Sequence, residues 1–100
     1  MDATRPADAL AATLTRTEVQ RAPFSVPGRE IVQVRTEIPV GVASGWHTHP
    51  GEEVGYQVAG TVRMEIRDQQ TLDLGPDTGV MLSTYLVDVD RPLSEVAAAP

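Results

Sequence analysis

The chain contains no cysteine, no lysine and no asparagine. Without thiols it can form neither a disulfide nor a thiolate-held zinc site. Its eight basic residues are all arginines, scattered from Arg5 to Arg91, and fourteen acids bring the net charge to −6. Nucleic-acid binders meet phosphates with grouped positive charge, so that class is excluded. No run of about eighteen apolar residues occurs, which excludes a helical membrane span. The opening residues Met1 to Pro6 lack the apolar stretch of a secretion signal. A cytoplasmic location is the expectation.

What is present fits one small domain, since 100 residues do not divide into two cores. So small a domain buries a modest share of its surface and has a narrow stability margin, which pairing with a second copy would widen. Residues 1–16 are rich in Ala and Thr. Asp8 is placed to cap a turn or two of helix reaching Leu14, but a helix that short is marginal alone. The reading is a flexible arm over 1–16 followed by a single domain over 17–100.

From Val19 onward Pro and Gly punctuate the chain at short intervals: Pro23, Pro27-Gly28, Pro39, Gly41, Pro50-Gly51, Gly60, Gly75-Pro76 and Gly79. That spacing is an all-β signature and leaves no room for a long helix. Val32, Val34, Thr36 and Ile38 share one strand face, opposite Gln33, Arg35 and Glu37. The clearest alternation spans residues 61–67, with Val62, Met64 and Ile66 on one face and Arg63, Glu65 and Arg67 on the solvated one. A final apolar strand is expected from Val80 to about Val89, with Met64 and Met81 as core fillers.

The two histidines of the chain are His47 and His49. Two residues apart on a strand, their side chains leave from the same face. Pro50-Gly51 turns the chain, and Glu53 beyond the turn can return a carboxylate to the same point. Two imidazoles and one carboxylate suit iron, manganese or another divalent transition metal, with coordination positions left for water or a small molecule. Glu52, Trp46, Tyr56 and Gln57 are weaker candidates. Glu52 is expected to face solvent, Trp46 to pack away from the metal, and Tyr56 either to donate to a ligand or to be buried structurally. No Ser-His-Asp set can be assembled, and no phosphate-binding glycine loop is present.

His-x-His alone is weak, because paired surface histidines are common. The full spacing is not weak: Gly41, five residues, His47, one, His49, three, Glu53, six, Gly60. This pattern resembles the first signature motif of the cupin superfamily at each defining position. The stretch from Gly45 to Tyr56, with Val26-Pro27-Gly28-Arg29-Glu30 upstream and Thr84-Tyr85 to Pro92-Leu93 downstream, is similar to small single-domain bacterial cupins. The resemblance covers most of residues 17–96. It implies a double-stranded β-helix, an antiparallel jelly-roll barrel, with His47, His49 and Glu53 as metal ligands. It also implies a divalent Fe, Mn, Ni, Cu or Zn ion, and a homodimer.

One part of the family pattern is missing. The second cupin motif carries a further ligand histidine and an asparagine, whereas here Leu72-Asp73-Leu74 runs almost directly into Gly75-Pro76-Asp77-Thr78-Gly79. The reading is a cupin barrel shortened by about two strands, roughly 15–20 residues. Such a loss weakens the metal site and bares an edge that a second chain can cover. Two functions follow as expectations. One is a metal-dependent small-molecule enzyme with chemistry of the dioxygenase, isomerase or decarboxylase kind. The other is a non-catalytic binding or scaffold module with a vestigial metal site.

Overall fold

The computed structural model describes residues 7–60, 63–65, 72–73 and 79–98. Its elements are a short 3-10 helix (Ala9–Ala12) and the strands β1 (Thr15–Pro23), β2 (Arg29–Ile38), β3 (His47–Thr48), β4 (Gly51–Ala59), β5 (Arg63–Met64), β6 (Leu72–Asp73), β7 (Gly79–Asp88) and β8 (Glu95–Val96). Among the described residues every strand pairing is antiparallel. The fold is all-β, as the spacing of Pro and Gly predicts.

The principal sheet has the order β1-β2-β7-β4, with β3-β8 and β5-β6 as two-stranded ribbons. β1 and β2 form a hairpin across Val26-Pro27-Gly28-Arg29. The Arg29 amide donates to the Val26 carbonyl at 3.2 Å, and Gly28 has φ +79°. Proline followed by a residue at positive φ is the chemistry of a type II turn, and glycine meets that φ without a Cβ clash.

Strand β7 is central, paired to β2 along one edge and to β4 along the other. Its alternation sorts the sheet into two faces. The inner face carries Met81, Ser83, Tyr85 and Val87 from β7, all buried, against Val32, Val34 and Thr36 from β2. Val32, Val34, Tyr85, Val87 and Leu93 form one buried apolar cluster. Met81 fills the core as expected.

The N-terminal segment differs from the arm expected over 1–16. Asp8 does cap the 3-10 helix, accepting from the Leu10 amide at 3.3 Å. Leu10 and Leu14, however, are buried, and β1 begins at Thr15. Packing supplies what the short helix lacks in propensity, so residues 8–16 are part of the folded body.

Of the alternating stretch at 61–67, Arg63–Met64 is strand; Val62, Ile66 and Arg67 lie outside the described residues, as do residues 74–78, where the shortening of the barrel was read. No helix among the described residues is long and apolar enough to cross a membrane.

Candidate functional site

His47 stands on β3, paired with Val96 of β8. His49 follows that strand, and Pro50 then leads into β4, where Glu53 is inward and half-buried. The turn is tight. A Cβ on Gly51 would overlap the Leu86 carbonyl oxygen of the neighbouring strand, so glycine lets β4 lie against β7 directly after the histidines.

The two imidazoles lie edge to face, with ring centroids 5.0 Å apart. His49 Nδ1 lies 2.7 Å from the Leu93 carbonyl oxygen, and His47 Nδ1 lies 2.9 Å from that of Gly45. A carbonyl only accepts, so each Nδ1 is the protonated, donating nitrogen. That fixes both ring orientations and directs Nε2 elsewhere. His49 Nε2 meets Glu53 Oε1 at 3.2 Å. Among the described residues, no Nε2 partner of His47 is present, and no three His, Asp or Glu side chains converge as a metal-binding group. The structure thus brings His49 and Glu53 together, with His47 alongside.

Behind this pair lies a polar cluster that sequence reasoning missed. The His49 ring packs on Tyr85, 4.7 Å between centroids. The Tyr85 hydroxyl accepts from Arg16 Nη1 at 2.9 Å. The Arg16 side chain, 5% exposed, also donates from Nε to Asp8 at 2.9 Å and from Nη1 to Thr36 at 2.8 Å. Its Nη2 lies 3.5 Å from Ser94 Oγ, and that hydroxyl is 3.3 Å from His49 Nδ1. The chain of contacts runs from the N-terminal segment through the core to the histidine.

Burial and charge act on Glu53, Tyr85 and Arg16. Burial opposes ionisation of Glu53, but hydrogen bonding with His49 and Ser83 and the charges of His49 and Arg16 outweigh it, holding the carboxyl below its ordinary range. Burial pushes the Tyr85 phenol up to about 12, with the Glu53 charge adding to the effect, so it is neutral at physiological pH. Burial disfavours the charge on Arg16, but Tyr85 and Asp8 more than compensate and its pKa is raised.

Glu53 is therefore a carboxylate facing a ring nitrogen whose opposite nitrogen already carries a proton. Two acceptors 3.2 Å apart repel unless a positive charge, a proton or a metal ion, lies at that point. In donor chemistry the residues fit a divalent metal: Nε2 lone pairs, an ionised carboxylate and Nδ1–H groups anchored on carbonyls.

The weaker candidates fall elsewhere. Glu52 is exposed on the outer face and pairs with Arg29 at 3.5 Å. Trp46 is half-buried, its carbonyl accepting from the Ala97 amide. Tyr56 is neither buried nor aimed inward: it stands exposed on the outer face, because odd positions of β4 point in and even positions out. Gln57 is inward and half-buried, and its side chain reaches the Gly60 carbonyl. A cavity of about 190 Å³ lies beside Arg16, lined also by Asp8, Glu18, Arg21, Val34 and Leu93; a more open one of about 310 Å³ lies between Arg21 and Arg29.

In comparison with known proteins, the family profile described as the cupin domain matches residues 34–84, from the middle of β2 to the middle of β7. The chain is a cupin. The match spans the histidine pair, Glu53, all of β4 and the second half of β2, so fold and site belong to the same family segment. No curated protein and no solved structure matches the chain. Cupin domains commonly bind divalent metals.

Proposed function

We propose that this cupin binds a divalent transition metal ion through His47, His49 and Glu53 and receives a small molecule in the barrel beside it. The observation that carries the reading is the His49–Glu53 contact: Nδ1 committed to the Leu93 carbonyl and Nε2 facing an ionised carboxylate at 3.2 Å. A proton on Nε2 or a metal ion satisfies that pairing, and His47 adjoins it with its own Nδ1 committed to Gly45. Three protein ligands leave open positions, where a bound metal would supply Lewis-acid polarisation or oxygen activation. That places dioxygenase- or isomerase-like chemistry within reach of the site. The protein's own part is to hold Glu53 ionised, orient both rings and shield the site with Tyr85 and Leu93.

A second reading has support of its own. The chain has no third histidine, and no three-residue group converges among the described residues. A cupin that binds a small molecule without catalysis, its metal site vestigial, follows from that.

The test is elemental mass spectrometry of protein purified without chelator and of protein reloaded with Fe, Mn, Ni, Cu or Zn. The same is done for the His47→Ala, His49→Ala double variant. Near-stoichiometric metal in the parent, falling at least tenfold in the variant, supports the metal reading. Equal and substoichiometric metal in both sinks it and leaves the non-catalytic cupin.

A further inference from the structure

The two histidines of the site are held by different parts of the chain. His47 is anchored within its own loop: its Nδ1 is committed to the Gly45 carbonyl, with the Ser44 hydroxyl 3.4 Å away. His49 is anchored from a distance. Its Nδ1 donates to the Leu93 carbonyl, Ser94 Oγ adjoins the same nitrogen, and its ring packs on Tyr85. Residues 8–16 grip these supports. The Ala9 amide donates to the Ser94 carbonyl at 3.1 Å, which fixes the peptide plane that follows the Leu93 carbonyl. Arg16 donates from Nη1 to the Tyr85 hydroxyl and reaches Ser94 Oγ with Nη2.

Stability alone does not account for Arg16. Its register opposite Thr36 turns it inward, yet Leu10 and Leu14 already dock the segment by apolar burial. A buried ion pair such as Arg16 with Asp8 commonly stabilises a fold no better than apolar side chains of similar volume. What the pair adds is direction. The guanidinium is a planar fork with fixed donor geometry. Here Nε meets Asp8, Nη1 meets Thr36 and Tyr85, and Nη2 meets Ser94. We propose that residues 8–16 form a strap that positions His49 and leaves His47 alone, with Arg16 as the positioning residue acting through Tyr85 and Ser94. The strap keeps the Leu93 carbonyl and the Tyr85 ring in place; these commit the His49 Nδ1–H and turn Nε2 towards Glu53. The use of that orientation rests on the metal-binding reading, but the orientation itself is measured on metal-free protein, so each fails separately.

The test is nuclear magnetic resonance of chelator-treated protein with isotope-labelled histidines, at about pH 8, above the ordinary histidine pKa of about 6.5. Long-range proton–nitrogen correlations show which ring nitrogen carries the proton, and saturation transfer gives its exchange rate with water. Two variants interrupt the strap by separate routes. Arg16→Met keeps an apolar stem and removes the fork. Ala9→Pro removes the amide that grips Ser94. Proline suits the first position of a helix, and Asp8 before it is already extended at φ −78° and ψ 113°, so the helix is kept. Circular dichroism checks folding, and Ala9→Pro, which leaves every buried side chain in place, carries the test where Arg16→Met does not fold. In the parent both rings carry the proton on Nδ1. In either variant His49 should populate both tautomers, with its ring proton exchanging about tenfold faster, the effect of losing one such hydrogen bond. His47 should keep its tautomer and its exchange rate. A His49 ring unchanged in a folded variant overturns the proposal. So do two rings that loosen equally, the mark of a merely structural role, or a parent His49 protonated on Nε2.

Discussion

Tyr85 shows how one side chain joins core and site. It is 1% exposed, carries the His49 ring on its face and accepts from Arg16. Replacing it with Phe keeps the ring and leaves one buried Arg16 N–H without its acceptor, a cost of about 1–3 kcal/mol. Urea denaturation of Tyr85→Phe at neutral pH should read that loss. The phenol also predicts the alkaline behaviour. Its folded pKa, about 12, lies above the ordinary 10, so the folded state binds this proton more tightly. The stabilisation is complete below the ordinary value and is lost as pH rises through the folded one. Stability of the parent should therefore fall between about pH 10 and 12, and less steeply in Tyr85→Phe. Equal slopes in the two proteins would remove this account of Tyr85. Little of this was legible in the sequence. His49 and Glu53 announce themselves by spacing along one segment. Arg16 reaches Tyr85 across 69 positions, and only strand register creates that contact.

At the scale of elements, the docking of the N-terminal segment and the exposure of Tyr56 on β4 escape local patterns for related reasons. Asp8 signals a helix start, but the packing of Leu10 and Leu14 depends on β8 and the residues before it, seen in the Ala9 amide donating to the Ser94 carbonyl at 3.1 Å. No local pattern encodes a docking partner more than eighty positions away. If the segment is part of the folded body, Leu10→Ala should cost about 2–4 kcal/mol, as other buried leucines do. An arm outside the domain would lose less than about 0.5 kcal/mol, the ordinary effect of a surface change. Thermal or urea unfolding of Leu10→Ala distinguishes the two. On β4 the position of Glu53 was legible because strand alternation places it inward. The same alternation settles Tyr56, but whether the outward side chain meets a layer or solvent depends on what lies over that face.

The molecule as a whole is governed by non-local pairing. β2 and β7 match residue for residue from Arg29 with Asp88 to Ile38 with Gly79, strands some forty to sixty positions apart in the chain. Chains of this topology fold in milliseconds to seconds, because loop closure precedes the reward of contact. Stopped-flow refolding should give a main phase in that range, and a microsecond phase carrying most of the amplitude would contradict it. The all-β class and the family were legible because Pro and Gly positions and the motif spacing are local properties. The strand order was not, since many orders satisfy the same alternation.

The central place of β7 also sets a sequence of events during synthesis. A nascent chain that has not yet brought residues 79–88 out of the ribosome holds the β1–β2 hairpin and a β4 without its sheet neighbour. A lone hairpin is marginal in water. The inward apolar residues of β2 then stay open to solvent and to other chains until one late strand arrives and closes both edges at once.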